Sequence, residues 1–132
     1  MIIENITLDN YKTRGKYTPA KKIDLGDSYL IFVSGFQAPK NEAGEVVTTD
    51  VAEQTRLVFG EIEKVLKCAG ASLDDVVKAV IYLTDMNDFA VVSPIRDEYF
   101  KNSIPVSTMV EVKGMTRKGA KIEIEVTAIK EK

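Results

Sequence analysis

Within residues 121–129, KIEIEVTAI, polar and apolar residues alternate from Lys121 to Ala128: Ile122, Ile124, Val126 and Ala128 are apolar, while Lys121, Glu123, Glu125 and Thr127 are polar. Successive side chains of a strand point to opposite faces, so this period of two describes a strand with one apolar and one polar side. The apolar side has to be buried against another layer. Glu123 and Glu125, two residues apart, then point the same way.

The remaining patterns supply that layer. VVKAVIYLTD, residues 76–85, is short and β-branched and reads as a strand, as does VSTMVEVK after Pro105. KKIDLGDSYLIFVSG holds two apolar runs around Gly26-Asp27, which reads as a hairpin with strands near 17–25 and 28–35. FQAPKNEAGEVVTTD follows as the longest loop. A helix starts at Asp50, where Asp50 and Glu53 match a D-x-x-E form of the capping box. Val51, Thr55, Val58, Ile62, Leu66 and Ala69 recur at three or four residues, one face of a helix about five turns long, and Gly70 ends it as a left-handed cap. A second helix runs to Phe100, capped by Asn87 or by Ser93. Pro94 fits the first turn after a Ser93 cap, but would kink a helix begun at Asn87.

The order β-β-α-β-α-β-β, over one domain spanning 1–132, predicts an α+β sandwich: a mixed sheet of about six strands with two helices on one face. The other face carries Ser and Thr beside apolar residues and is expected to pack in part against a partner chain.

Missing residue types narrow the chemistry. The chain has no histidine, which removes Ser-His-Asp and Cys-His catalysis and every His-ligated metal site. Its one cysteine, Cys68, allows no intrachain disulfide and no thiolate cluster; near a helix C-terminus it is expected to be a half-buried packing residue. Eighteen basic and twenty acidic residues give no basic excess of the kind that marks a nucleic-acid surface. No run approaches the ~20 apolar residues that span a bilayer, and MIIENITLDN has no basic, apolar leader pattern, so a cytoplasmic location is expected.

Catalysis then falls to carboxylates, Arg, Lys, Tyr, hydroxyls, backbone amides or water. Glu123 and Glu125 read either as a solvated polar face with cross-strand lysines or as a carboxylate that activates water. Tyr17, at the start of the hairpin beside Arg14 and Lys16, reads as a packing ring or as one wall of a pocket. Ser34-Gly35, at the end of the second strand, marks a bulge or lets backbone amides approach a ligand.

Three stretches together resemble one family: KYTPAKKIDLGDSYLIFVSGFQAP, then GEVVTTDVAEQTRLVFGEIEKVLKCAGASLDDVVKAVIYLTDMNDFAVVSPIRDEYF, then IPVSTMVEVKGM followed by KIEIEVTAI. Their order and spacing are similar to the RidA/YjgF family, also called L-PSP, over nearly the whole chain. The resemblance implies a homotrimer of chorismate-mutase-like fold, with three sheets lining a central barrel, helices outside and small-molecule clefts between subunits. It implies hydrolysis of reactive 2-imino and enamine acids to 2-oxo acids and ammonia, with no metal or organic cofactor. By the same resemblance Tyr17, Gly35 with Ser34 before it, Asn87 and Glu123 occupy site positions.

One position departs from the family pattern P-x-R-S-x-V-E-V. PVSTMVEV has Ser107 where the arginine belongs, Thr108 at the serine and Met109 at the usual cysteine, and SGFQAP is one residue longer than the commoner form. In the family that arginine grips the substrate carboxylate through charge-assisted hydrogen bonds worth about 1.5–3 kcal/mol each. The expectation is an imine or enamine deaminase without its usual anion anchor, with Arg14, Lys16, Lys113 or Arg117 as candidate substitutes. The alternatives are a non-catalytic small-molecule-binding trimer and a translation-inhibitor or endoribonuclease role.

Overall fold

A computed structural model describes residues 1–132 other than Asn10 and Arg14. Its sheet has six strands, matching the expected sheet size of about six, in the order β1-β2-β3-β6-β4-β5. The strands are β1 (Ile3–Ile6), β2 (Ala20–Asp24), β3 (Ser28–Gln37), β4 (Val76–Leu83), β5 (Val106–Glu111) and β6 (Ile122–Glu131), with helices α1 (Val51–Cys68) and α2 (Phe89–Tyr99). Among these described strands only the β4–β5 pair is parallel. It is joined through α2, as a parallel pair requires a crossover. The element order gains one strand over the pattern reading, β1, which pairs with β2. Its four residues are mostly exposed and too few to show a period.

The alternation from Lys121 to Ala128 holds in three dimensions. Ile122, Ile124, Val126 and Ala128 are buried against the helices, while Glu123, Glu125 and Thr127 lie on the opposite, outer face. The α1 stripe meets them: Val51, Thr55, Val58, Ile62, Leu66 and Ala69 are all buried. Each such aliphatic side chain contributes about 1.5–3 kcal/mol relative to exposure. Phe59 of α1 stacks on Tyr99 at 4.4 Å and meets Phe100 edge-on at 5.2 Å, which locks α1 to the end of α2.

The helix ends differ in detail from expectation. Asp50 does cap α1, accepting from the Ala52 N–H, but Glu53 accepts from the Thr48 hydroxyl and closes no reciprocal box. At the other end the Ala71 N–H donates to the Leu66 carbonyl and the Gly70 N–H to the Lys67 carbonyl, a Schellman motif with Gly70 at φ +83°. Neither Asn87 nor Ser93 caps α2. A 3₁₀ turn, Met86–Asp88, capped by Asp85, runs straight into the helix, so Pro94 sits inside α2 instead of in its first turn. Cys68 is exposed, not half-buried: the buried stripe passes through Val65, Leu66 and Ala69 and leaves position 68 outside.

The outer face of the sheet is not covered by these elements. It presents Phe32 (47% exposed) and Val110 (38%) beside the polar side chains of β6. Among the described residues no helix is long and apolar enough to cross a membrane.

Candidate active site

The site grows from an irregularity in β3. Pairing between β3 and β6 shifts between Val33 and Phe36, a β-bulge that carries Ser34 and Gly35. Before the bulge Val33 faces the core opposite Val126; after it Phe36 faces the core opposite Ile124, and Gln37 comes to lie opposite Glu123 on the outer face. Gln37 Nε2 donates to Glu123 Oε1 at 2.8 Å, and Gln37 Oε1 accepts from the Arg117 N–H at 3.3 Å, so the amide is oriented from both ends. A Cβ built on Gly35 would come within 2.7 Å of Glu123 Oε2 and 2.9 Å of its carboxyl carbon. The glycine is therefore what lets the carboxylate lie against the bulge.

Ser34 secures the neighbouring segment. Its hydroxyl donates to the Thr18 carbonyl at 2.8 Å and its N–H to the Pro19 carbonyl at 2.8 Å. This ties Tyr17-Thr18-Pro19 to the bulge and leaves the Tyr17 ring 53% exposed. Ser34, Gly35 and Glu123 thus share one neighbourhood at the β3 bulge, and the segment after Tyr17 is tied to it.

Beside Glu123 opens a cleft of about 650 Å³, lined among others by Gln37, Tyr82, Lys113, Met115, Thr116 and Glu123. Tyr82 of β4 sits opposite Glu123, and its hydroxyl donates to Glu125 Oε1. That bond, then burial, then the charges of Glu125 and Glu123, push the phenol up to about 12, so it keeps its proton at neutral pH. The partners of Glu123 and Glu125 are an amide and a phenol, not the cross-strand lysines of the solvated-face reading. Gln37 and Tyr82 were not singled out in the sequence. Alternation with buried Ile81 and Leu83 marks Tyr82 as outward-pointing, but the bulge breaks the alternation that would have marked Gln37.

The other expected site residues lie on the far side of β4. Ser107 is paired with Ala79 and Met109 with Ile81, so both point to the helix side, where Met109 packs against the core and Ser107 is exposed. Thr108, paired with Val80, is exposed on the outer face. Asn87 is exposed in the 3₁₀ turn, its N–H donating to Asp85 Oδ1 at 2.9 Å. One chain therefore brings Ser34, Gly35 and Glu123 together, with the segment that follows Tyr17 tied to them, and leaves Ser107 two strands away on the edge strand β5.

Of the candidate substitutes for the family arginine, Lys113 lines the Glu123 cleft. Arg117 is engaged elsewhere: its guanidinium donates to the Ala38 carbonyl. Lys16 is exposed beside Tyr17, and Arg14 lies outside the described residues.

The family model described as Endoribonuclease L-PSP matches residues 7–130. A RutC family protein of Pyrococcus abyssi is 42% identical over 120 residues, 91% of each chain. The 2-iminobutanoate/2-iminopropanoate deaminase of Homo sapiens is 34% identical over 115 residues, covering 87% of this chain and 80% of its own. Among solved structures, the Yersinia pestis protein YyfA, of the conserved Rid family and of unknown function, superposes with a TM-score of 0.82 at 33% identity, covering 96% of this chain and 98% of that one.

Proposed function

This chain belongs to the RidA/YjgF/L-PSP family, and from that membership we propose that it hydrolyses a reactive imine or enamine to a carbonyl compound and ammonia, working as a cytoplasmic homotrimer. The observation that carries this reading is the Glu123 carboxylate, oriented by Gln37, lying against the Gly35 bulge at the side of an open cleft. Glu123 Oε2 takes no hydrogen bond from the described residues and can accept one from water.

The chemistry asks little more. A carboxylate that accepts a proton from water raises its nucleophilicity toward the imine carbon. The new C–O bond forms as the C=N π pair moves to nitrogen, which takes up a proton. The carbinolamine then collapses: its amine takes up a second proton, its hydroxyl loses one, C=O forms, and the C–N pair leaves with nitrogen as ammonia. An enamine enters the same path after protonation at its β-carbon. Tyr82 holds its proton throughout the neutral range and fixes Glu125 beside the reacting carboxylate.

The trimer is supported by the outer face, where Phe32 and Val110 stand exposed, and by the separation of Ser107 from Glu123 within one chain. A neighbouring copy can bring the two halves of the site together. A balance of eighteen basic to twenty acidic residues lends no support to a nucleic-acid role. A second reading, a trimer that binds a metabolite without turning it over, is favoured by Ser107 alone, since a neutral hydroxyl replaces a guanidinium.

Generating 2-imino acids with an amino-acid oxidase in the presence of semicarbazide separates the two. Added protein is expected to lower semicarbazone yield, and Glu123→Gln to lose roughly 100-fold or more of that effect. An unchanged yield with wild-type protein would overturn the hydrolase reading and leave the binder.

A further inference from the structure

A second cleft, of about 420 Å³, opens between the end of α2 and the start of β5. Arg96, Asp97, Phe100, Lys101, Pro105 and Ser107 are among the residues that line it. We propose that Arg96 and Lys101, with the Ser107 hydroxyl between helix and strand, form an anchoring subsite for the carboxylate of a short-chain 2-oxo or 2-imino acid. The inference rests on the proposed function for the identity of the ligand, and on this geometry for the site itself.

Arg96 is set for such a task. Its side chain is only 22% exposed, with Nη2 donating to the Ser93 hydroxyl at 3.0 Å and Nε to Asp97 Oδ1 at 3.1 Å. Two anchored N–H groups fix the plane of the guanidinium, and its remaining N–H groups have no acceptor among the described residues. A pre-oriented planar donor set is what a carboxylate recognises best. Asp97, the one acid lining the cleft, is 68% exposed, so its pairing with Arg96 is screened by solvent. Lys101 has no ion pair among the described residues, so the lining carries a net positive charge.

The walls fit the rest of such a ligand. Phe100 is buried to 4% and closes the floor, and Ile104 stands 81% exposed at the rim. Ile104 has φ +45°, a left-handed conformation rare for a β-branched side chain, and its N–H donates to the Phe100 carbonyl at 2.9 Å. Strained backbone of this kind persists where its surroundings hold it, and here it delivers Pro105 and Ser107 alongside the end of α2. On this reading the cation lost from position 107 is supplied from the facing helix.

The test uses 2-oxobutanoate as a stable probe, titrated by calorimetry and by amide chemical shifts into the intact protein. Wild type is expected to bind it with shifts at residues 96–107. Arg96→Gln with Lys101→Gln should weaken binding by roughly 10- to 100-fold. Adding Ser107→Arg to that double variant should restore it to within about threefold of wild type, because the guanidinium re-enters the same cleft. The single variants Arg96→Lys and Lys101→Gln, which keep charge or alter only an exposed side chain, guard against a folding defect and should weaken binding by intermediate amounts. Unchanged affinity in the folded double variant, shifts confined to the Glu123 cleft, or failure of wild type to bind the probe would each overturn the subsite. The two readings fail separately. Binding lost in the variant with no imine turnover by wild type leaves the subsite and removes the hydrolase; turnover with unchanged KM in the variant does the reverse.

Discussion

The Glu123 carboxylate lies so close over Gly35 that a single methyl group on that glycine would reach to 2.7 Å from Glu123 Oε2. No real Cβ is tolerated at such a distance, so one of the two groups has to move. The Glu123 side chain is the softer of them, since it is held at its tip by one hydrogen bond from Gln37.

Gly35→Ala therefore acts as a displacement of the carboxylate. Imine turnover in the oxidase-coupled assay is expected to fall roughly 10- to 100-fold, because a shift of about 1 Å in a reacting group has that scale of effect. The melting temperature should change by less than about 2 °C, as Gly35 is exposed and has an ordinary φ. A large loss of stability with turnover per folded molecule retained would show that the contact serves packing and not chemistry.

Phe32→Glu tests the outer face. Phe32 is 47% exposed and stands opposite Thr127 on the side of the sheet away from the helices. A charge buried in a subunit interface is strongly unfavourable, so the variant should leave the trimer. Light scattering should find wild type at three times the 14.6 kDa chain mass and the variant at the mass of one chain. Turnover should vanish with the trimer if, as proposed, each site is completed by a neighbouring copy. A trimeric Phe32→Glu protein would place the contact surface elsewhere.

Tyr82 makes a prediction in alkali. The hydrogen bond to Glu125, followed by burial, pushes its phenol up to about 12, whereas an unfolded tyrosine titrates near 10. The folded chain holds this proton more tightly than the unfolded one. The stabilisation is complete below about pH 10 and is lost as the pH rises from there through about 12. The difference in melting temperature between wild type and Tyr82→Phe should shrink over that window, while other titrations cancel in the comparison. A constant difference from about pH 9 to 12 would mean that the phenol ionises in the fold much as it does in the unfolded chain.

The sequence by itself determined the layers. The alternation of Ile122, Ile124, Val126 and Ala128 and the three-four spacing from Val51 to Ala69 are local periods, and each tells which side of its own element must be buried. The stop at Gly70 was equally legible, because a left-handed residue after a helix is a local demand on one side chain. Resemblance to known family patterns marked Gly35, Glu123 and the departure at Ser107. Partnership across the sheet was another matter. Gln37 meets Glu123 across 86 residues of chain and Tyr82 meets Glu125 across 43, and both meetings depend on strand order and register. A bulge of one residue between Val33 and Phe36 reverses the facing of everything after it, so no local period could have put Gln37 on the outer face. The separation of Ser107 from Glu123, and its nearness to Arg96 of α2, came the same way. A strand's period says that a side chain turns to one face or the other, while only the pairing of β5 with β4 and the crossover through α2 say what stands there to meet it.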